Sequence, residues 1–289
     1  MLMKRQPLSF MVLLVVTVHI AGAAAATAGD AAEQKPQLYP WCGKYCMSFW
    51  TRARSAKTVG KDHLSVSLKA QYFDWTQVKG ADDNYHSRPS GQEKQRLQTV
   101  LCTKYGWAEN HHIAVGVPYW FNDFDIPGKS NDSAGLANMY VFEKWNFIKE
   151  TNHFPGVAVD FWYYFPSGDT DRKLGSDDPA YKITTEVSKA WKDFSLHFNP
   201  GYTWSEDKDA EMGEINAVLL LRPHPSFWPG LEYNYIDKEH KGHRHDLVPG
   251  FIWRFAEGWS FKVGVPINLD STFTDRDRVG IVLKLFRRW

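Results

Sequence analysis

The chain has 289 residues, 34 Lys and Arg against 33 Asp and Glu, and a mean hydropathy of −0.44. So even a charge balance gives no reason to expect nucleic acid as a partner, and so polar a chain excludes a bundle of membrane helices. Aromatic residues make up 15% of it, with 13 Trp, and such rings suit membrane interfaces, where one edge is apolar and the other wet.

Lys4 and Arg5 precede an apolar run over residues 8–20, and small residues fill 21–28. Basic, apolar, small is the order of a secretory signal peptide, and the run is too short to span a bilayer. Cleavage after Ala23, Ala26 or Ala28 fits equally. No cysteine ends the apolar run, which argues against a lipoprotein. Residues 29–62 are polar, basic towards their end and without a sustained period; they read as a periplasmic lead segment. Cys42 and Cys46 within it suit a local disulfide in a compartment that permits one. Covalent haem attachment needs two intervening residues and a following His, whereas three residues intervene here and Met47 follows. Cys102 reads as a small packed residue.

From Leu64 onward the period is two. Leu64, Val66, Leu68, Ala70 and Tyr72 alternate with Ser65, Ser67, Lys69 and Gln71. Twelve such strands are expected, at about residues 63–75, 92–105, 111–120, 135–148, 155–165, 181–191, 195–204, 211–222, 227–237, 245–255, 259–268 and 278–288. Without helices to cover the apolar faces, the solvent that satisfies them is lipid, and in lipid only a closed barrel pairs every backbone group. Long polar connections alternate with short ones, as outer loops alternate with periplasmic turns. Ten or eleven residues at about 3.3 Å, tilted by roughly 40°, climb on the order of 25 Å, the height of an outer-membrane apolar band.

Three features refine this pattern. Ala108-Glu109 with Val115-Gly-Val-Pro118 recurs as Ala256-Glu257 with Val263-Gly-Val-Pro266. Pro118, Pro200, Pro249 and Pro266 fall inside expected strands, where they must mark bulges or strand ends, since a closed barrel offers proline no free edge. The fourth strand, around Tyr140 to Trp145, alternates too poorly for its facing to be assigned.

The polar faces line a lumen that includes Lys69, Asp160, Trp162, Tyr164, Glu186, Glu214, Arg222, Glu232, Arg254, Lys262 and Lys284. Acids and bases are mixed, which implies a wet interior crossed by ion pairs. These charges either rigidify a narrow barrel or filter what passes it. Trp162 and Tyr164 beside Asp160 form an aromatic wall with one acid, suited to a small ligand. His240, His243 and His245 crowd one outer loop, and Lys and Arg neighbours there oppose a metal cation. His111 and His112 stand at a periplasmic strand start with no catalytic role expected. His197 and Ser195 share a strand but point inward, and no Gly-x-Ser-x-Gly or metalloprotease motif is present, so lipid hydrolysis is a minor reading. No catalytic residue and no cofactor is expected.

The final strand has apolar Val279, Ile281, Leu283 and Leu285 on one face and stops on Trp289. It resembles the carboxy-terminal signature of bacterial outer-membrane barrels, from which Arg287 departs. That resemblance implies recognition by the barrel-assembly machinery. Lys104-Tyr-Gly-Trp-Ala-Glu-Asn110 with Ile113-Ala-Val-Gly-Val-Pro-Tyr119, and Phe165-Pro-Ser-Gly-Asp169 with Ser167 in place of Thr, resemble the meta-pathway phenol-degradation family of outer-membrane transporters. This family resemblance implies a barrel that admits aromatic or other small hydrophobic compounds.

The expected protein is all-β: a single antiparallel 12-stranded transmembrane outer-membrane β-barrel over residues 63–289, preceded by a signal peptide over 1–28 and a lead over 29–62. It serves as a channel for small solutes in the outer membrane of a Gram-negative cell. The alternative is a scaffold barrel that works through its outer loops.

Overall fold

A computed structural model describes residues 49, 51–80, 84–89, 92–126, 129–130, 132–206, 211–238, 241–273, 275–276 and 280–289. All fall within one compact unit, Leu38–Trp289. Cys42, Cys46, His240 and Val279 lie outside the described residues, as do residues 1–28.

Among the described residues the architecture is a closed barrel of twelve antiparallel strands. In chain order they are β1 (Leu64–Asp74), β2 (Glu93–Ala108), β3 (His111–Ile126), β4 (Tyr140–Ile148), β5 (Gly156–Tyr164), β6 (Ala180–Ala190), β7 (Phe194–Ser205), β8 (Met212–Leu221), β9 (Phe227–Lys238), β10 (Gly242–Ala256), β11 (Trp259–Gly264, resumed at Ile267–Ser271) and β12 (Ile281–Arg288). Each pairs with the next, and β12 pairs with β1 through registers such as Lys69↔Lys284, so no edge is left open. The last residue joins the same seam: the Trp289 backbone N–H donates to the Leu64 carbonyl at 2.9 Å.

The alternation read from sequence is the alternation of the walls. Leu68, Leu101 and Val117 stand in one row across β1, β2 and β3, and Leu68 and Leu101 are about half exposed, at 51% and 49%. Exposure on this scale to water would be costly; to acyl chains it is the stabilising contact. Exposed Trp107, Trp145, Trp191, Trp253 and Trp289 gather towards the short-turn end, and Tyr119, Phe121, Phe165, Tyr181 and Trp204 towards the other, as two aromatic girdles. The facing of β4, unassignable from sequence, is now plain: Phe142, Lys144 and Asn146 point in, Glu143, Trp145 and Phe147 out.

The connections sort less cleanly than expected. Residues 109–110, 149–155, 191–193, 222–226 and 257–258 make the short end, but at the opposite end Lys238 of β9 pairs directly with Gly242 of β10, and Lys241 N–H donates to the Lys238 carbonyl at 3.1 Å, so the turn between these two strands is equally short. Gly242, at φ +105°, opens β10 after that turn in a conformation that side chains avoid. The fourth expected strand also divides, into Ser133–Leu136 and Tyr140–Ile148.

Each proline sits where a ladder pauses. Pro118 marks the change of partner on β3, from β4 up to Gly116 to Ser133–Leu136 beyond Tyr119. Pro200 lies opposite the gap in β6 between Thr184 and Val187. Pro249 and Pro266 share one opening of the β10–β11 ladder, where Val265 N–H donates to the Pro249 carbonyl at 3.0 Å. The repeated Ala-Glu motif is an echo in structure too. The register shifts between Tyr105 and Ala108 before one turn, and between Trp253 and Ala256 before the other.

Candidate functional site

The lumen is occupied by the chain's own lead. A periplasmic position was expected for residues 29–62; of its described part, Phe49 and Thr51–Val59 run inside the barrel. Its composition suits the space: Ala53, Ser55, Ala56 and Val59 are each 1% exposed, and the small side chains alternate loosely with Arg52, Arg54 and Lys57. Phe49 N–H donates to the Ala53 carbonyl at 2.9 Å, closing a reversal of the chain. The Phe49 ring stands 4.5 Å from that of His197 and packs in a cluster with Val218, Leu220, Trp228, Val248 and Ile252. Those apolar residues face inward, against the rule for a wet lumen, because they hold this ring.

Polar anchors follow residue by residue. The buried Glu232 carboxylate accepts the backbone N–H groups of Thr51, Arg52 and Ala53 at 3.1, 2.7 and 3.0 Å, and the Thr51 hydroxyl at 2.6 Å. Arg52 pairs with Glu214 at 2.8 Å. Arg54 pairs with Asp160 at 3.1 Å, lies 3.9 Å over the Trp162 ring, and donates its backbone N–H to Asn199 at 2.6 Å. The Ser55 carbonyl accepts from Lys144 at 2.9 Å, and the Ala56 carbonyl from Asn146 at 2.7 Å. Ala56 N–H reaches Ser188, Lys57 pairs with Glu150, and Val59 N–H reaches His112 Nδ1 at 3.3 Å. Below this, Asp62 N–H donates to the Gly106 carbonyl; a Cβ on Gly106 would stand 1.7 Å from the Gly60 carbonyl oxygen, so only glycine lets the lead pass there.

Charge explains the match. The walls of β5, β6, β8 and β9 present Asp160, Glu186, Glu214 and Glu232, all buried. Wall cations Lys144 and Lys182 meet part of that charge: Lys144 contacts Glu186 and stands 3.6 Å from Asp160, and Lys182 pairs with Glu214. Arg52 and Arg54 of the lead bring cations to the same acids. Buried carboxylates require such partners.

Of the residues expected to line the lumen, Lys69, Asp160, Trp162, Tyr164, Glu186, Glu214, Glu232, Lys262 and Lys284 point inward, while Arg222 and Arg254 stand at the short-turn end, 5.6 and 5.2 Å from the Trp228 ring. Trp162 stacks on Phe142 at 3.9 Å with Tyr140 and Tyr164 close by, a wider aromatic wall than the sequence indicated. Cys102 packs with Ala114, Phe142 and Trp162. On the outer wall, ligand atoms of His243, His245 and Asp270 lie within 4.8 Å of one another. The roles of Arg52, Arg54, His112 and the Phe49 nest went unrecognised; the available signal was a basic, small-residue lead ahead of inward strand faces that carry Asp160, Glu186, Glu214 and Glu232.

A cavity of about 560 Å³ opens below the lead at the short-turn end, lined by Lys57, Val59, His63, Lys149, Glu257 and Arg288 among others. A second, of about 60 Å³, survives beside Arg52 and Arg54 inside the barrel.

An all-antiparallel closed barrel with a lipid-facing apolar belt and a polar, self-occupied lumen defines an outer-membrane β-barrel. Residues 53–278 match the family described as "Putative MetA-pathway of phenol degradation", and the chain belongs to that family. Its fold is similar to that of an outer-membrane channel from Pseudomonas putida F1, at 10% identity and a TM-score of 0.67, over 81% of this chain and 98% of that one. It is also similar to the NanC porin (9% identity, TM-score 0.52, 77% and 98% covered) and to the β domain of the Bordetella autotransporter BrkA (9%, 0.50, 77% and 98%). A search of curated proteins finds no match.

Proposed function

We propose that the chain is a passive outer-membrane channel for small solutes whose lumen is closed by residues 49–59. The observation that carries this reading is the polar passage itself. Its walls hold the lead by hydrogen bonds and ion pairs, contacts that water can replace if the segment withdraws, and a cavity already stands open beneath it. The aromatic wall of Tyr140, Phe142, Trp162 and Tyr164 supports aromatic or hydrophobic small molecules as solutes. Occlusion also favours the second reading, a closed scaffold that acts through its loops. Planar-bilayer recordings separate the two: the whole chain is expected to be mostly silent with brief openings, and a variant lacking residues 49–59 to conduct steadily. A deletion variant that folds yet stays silent would establish the scaffold.

This reading assigns no catalysis. His197 and Ser195 are 3.0 Å apart, but both are buried in the wall, with the Phe49 ring over His197, away from lipid. Residues 1–28 act in it as a cleaved export signal, and Trp289 as part of the mark read by the assembly machinery. Trp289→Ser is expected to lower the amount of heat-modifiable, folded barrel in outer-membrane fractions several-fold; an unchanged amount would remove that role.

A further inference from the structure

At the end of the barrel opposite the short turns, three strands bring metal-ligating side chains to one patch of the outer wall. His243 and His245 are two apart on β10 and so share a face. Asp237 of β9 lies directly opposite His243, and Tyr235 directly opposite His245. On its other side His245 is the direct partner of Asp270 of β11. Arg244, between the two histidines, points the other way, where its Nε lies 2.8 Å from both carboxylate oxygens of the buried Asp246.

Asp270 reaches this face only because its strand is irregular. The ladder pairs Asp246 with Asn268 but His245 with Asp270, which leaves Leu269 unpaired as a bulge. Asn268 and Ser271 stand opposite the inward-facing Asp246 and Arg244, and Ser271 is buried, while Leu269 and Asp270 between them are both exposed. In an unbroken ladder Asp270 would share the inward face of Asn268. The bulge therefore aims one carboxylate at two imidazoles, a use to which such irregularities are put beside functional sites.

The distances suit a cation. One nitrogen of each histidine and one oxygen of Asp270 all lie within 4.8 Å of one another, and His243 Nε2 is 3.6 Å from Asp270 Oδ2. Donors about 2.0–2.1 Å from a tetrahedral ion stand roughly 3.4 Å apart, so small side-chain rotations close the set. Tyr233 Oη, 2.6 Å from His245 Nδ1, holds that ring from the β9 side. The sequence set Lys and Arg neighbours against a cation here, but Arg244 and Lys238 belong to the inward series, whereas Asp237 and Asp270 are both on the outer face.

We propose that His243, His245 and Asp270 form a site for a divalent transition-metal ion of the zinc or nickel class, with Asp237 the nearest fourth donor. Imidazole nitrogen selects such ions over magnesium and calcium, which take oxygen. The bound ion clamps the outer run of β11 to β10 across the bulge. This site is independent of the channel reading, and a barrel that never conducts would keep it.

Calorimetric titration of the detergent-purified full chain, carrying no histidine tag and stripped with EDTA, tests this with Zn²⁺, Ni²⁺ and Mg²⁺ as separate probes. Zn²⁺ is expected to bind saturably and far more tightly than Mg²⁺. His243→Gln and His245→Gln are each expected to weaken Zn²⁺ by about tenfold or more. His153→Gln, at the short-turn end, leaves it unchanged. None of the three histidines is buried, and heat-modifiability confirms that each variant folds. Absence of saturable Zn²⁺ binding, or an affinity that either His243→Gln or His245→Gln leaves unchanged, or that His153→Gln lowers as much, overturns the site. Mg²⁺ binding as tightly as Zn²⁺ overturns the class of ion.

Discussion

Glu232→Gln is expected to raise the open fraction of the purified barrel in bilayer recordings by roughly a hundredfold. One oxygen of this carboxylate accepts the N–H groups of Arg52 and Ala53 and the Thr51 hydroxyl, and the other accepts Thr51 N–H. A carboxylate serves four donors because it has no hydrogens of its own. The glutamine amide retains one accepting oxygen and turns its NH₂ towards a donor already there. Hydrogen bonds to a charged group contribute about 1.5–3 kcal/mol each, and, since such terms do not add, a net loss of about 3 kcal/mol is a fair expectation for the set. That is about a hundredfold in the ratio of closed to open. The barrel itself should stay folded, because Glu232 sits in an uninterrupted β9 ladder opposite Val218 and Val248. A folded Glu232→Gln protein that opens no more often than the unaltered chain would show that the lead is not held at this carboxylate.

The reach of the sequence reading follows from which contacts are local. Alternation along Ser65–Tyr72 or Ile281–Leu285 is imposed by lipid on one side of each strand, so it is written in neighbouring residues and could be read without a partner. The prolines were legible in the same way, since each lacks one donor and must stand where a ladder pauses. What escaped depends on partners on other strands, most of them far away in sequence. Phe49 selects inward Val218, Leu220 and Trp228, which break the polar-inside rule. On β4, Phe142 turns inward to stack on Trp162 beneath Arg54, so hydrophobicity no longer tells one face from the other. The lead shows no period because it is held largely through its backbone, by Glu232, Asn199, Ser188 and His112. Only the pairing of charges, Arg52 with Glu214 and Arg54 with Asp160, left a trace in the sequence, as a basic lead ahead of strands whose inward faces carry acids.

Lys144→Met is expected to destabilise the folded barrel by about 3–5 kcal/mol, the scale on which removing one partner from a buried ion network acts. Lys144 has no exposed surface; its ammonium contacts Glu186, stands 3.6 Å from Asp160 Oδ1, and donates to the Ser55 carbonyl at 2.9 Å. Methionine fills nearly the same space, so the loss is electrostatic rather than a cavity. Asp160 would keep Arg54, but Glu186 would face it without the cation between them, and the lead would lose its tie at Ser55. The two effects can be separated. Lys144→Met with Glu186→Gln removes the surplus negative charge and should recover most of the stability, read as the urea midpoint in detergent micelles, while the lead remains loosened and the open fraction stays raised. Were Lys144→Met alone to unfold at the midpoint of the unaltered chain, the acids of this lumen would have to be neutral or hydrated, and the charge match between lead and wall would cease to explain why the segment sits where it does.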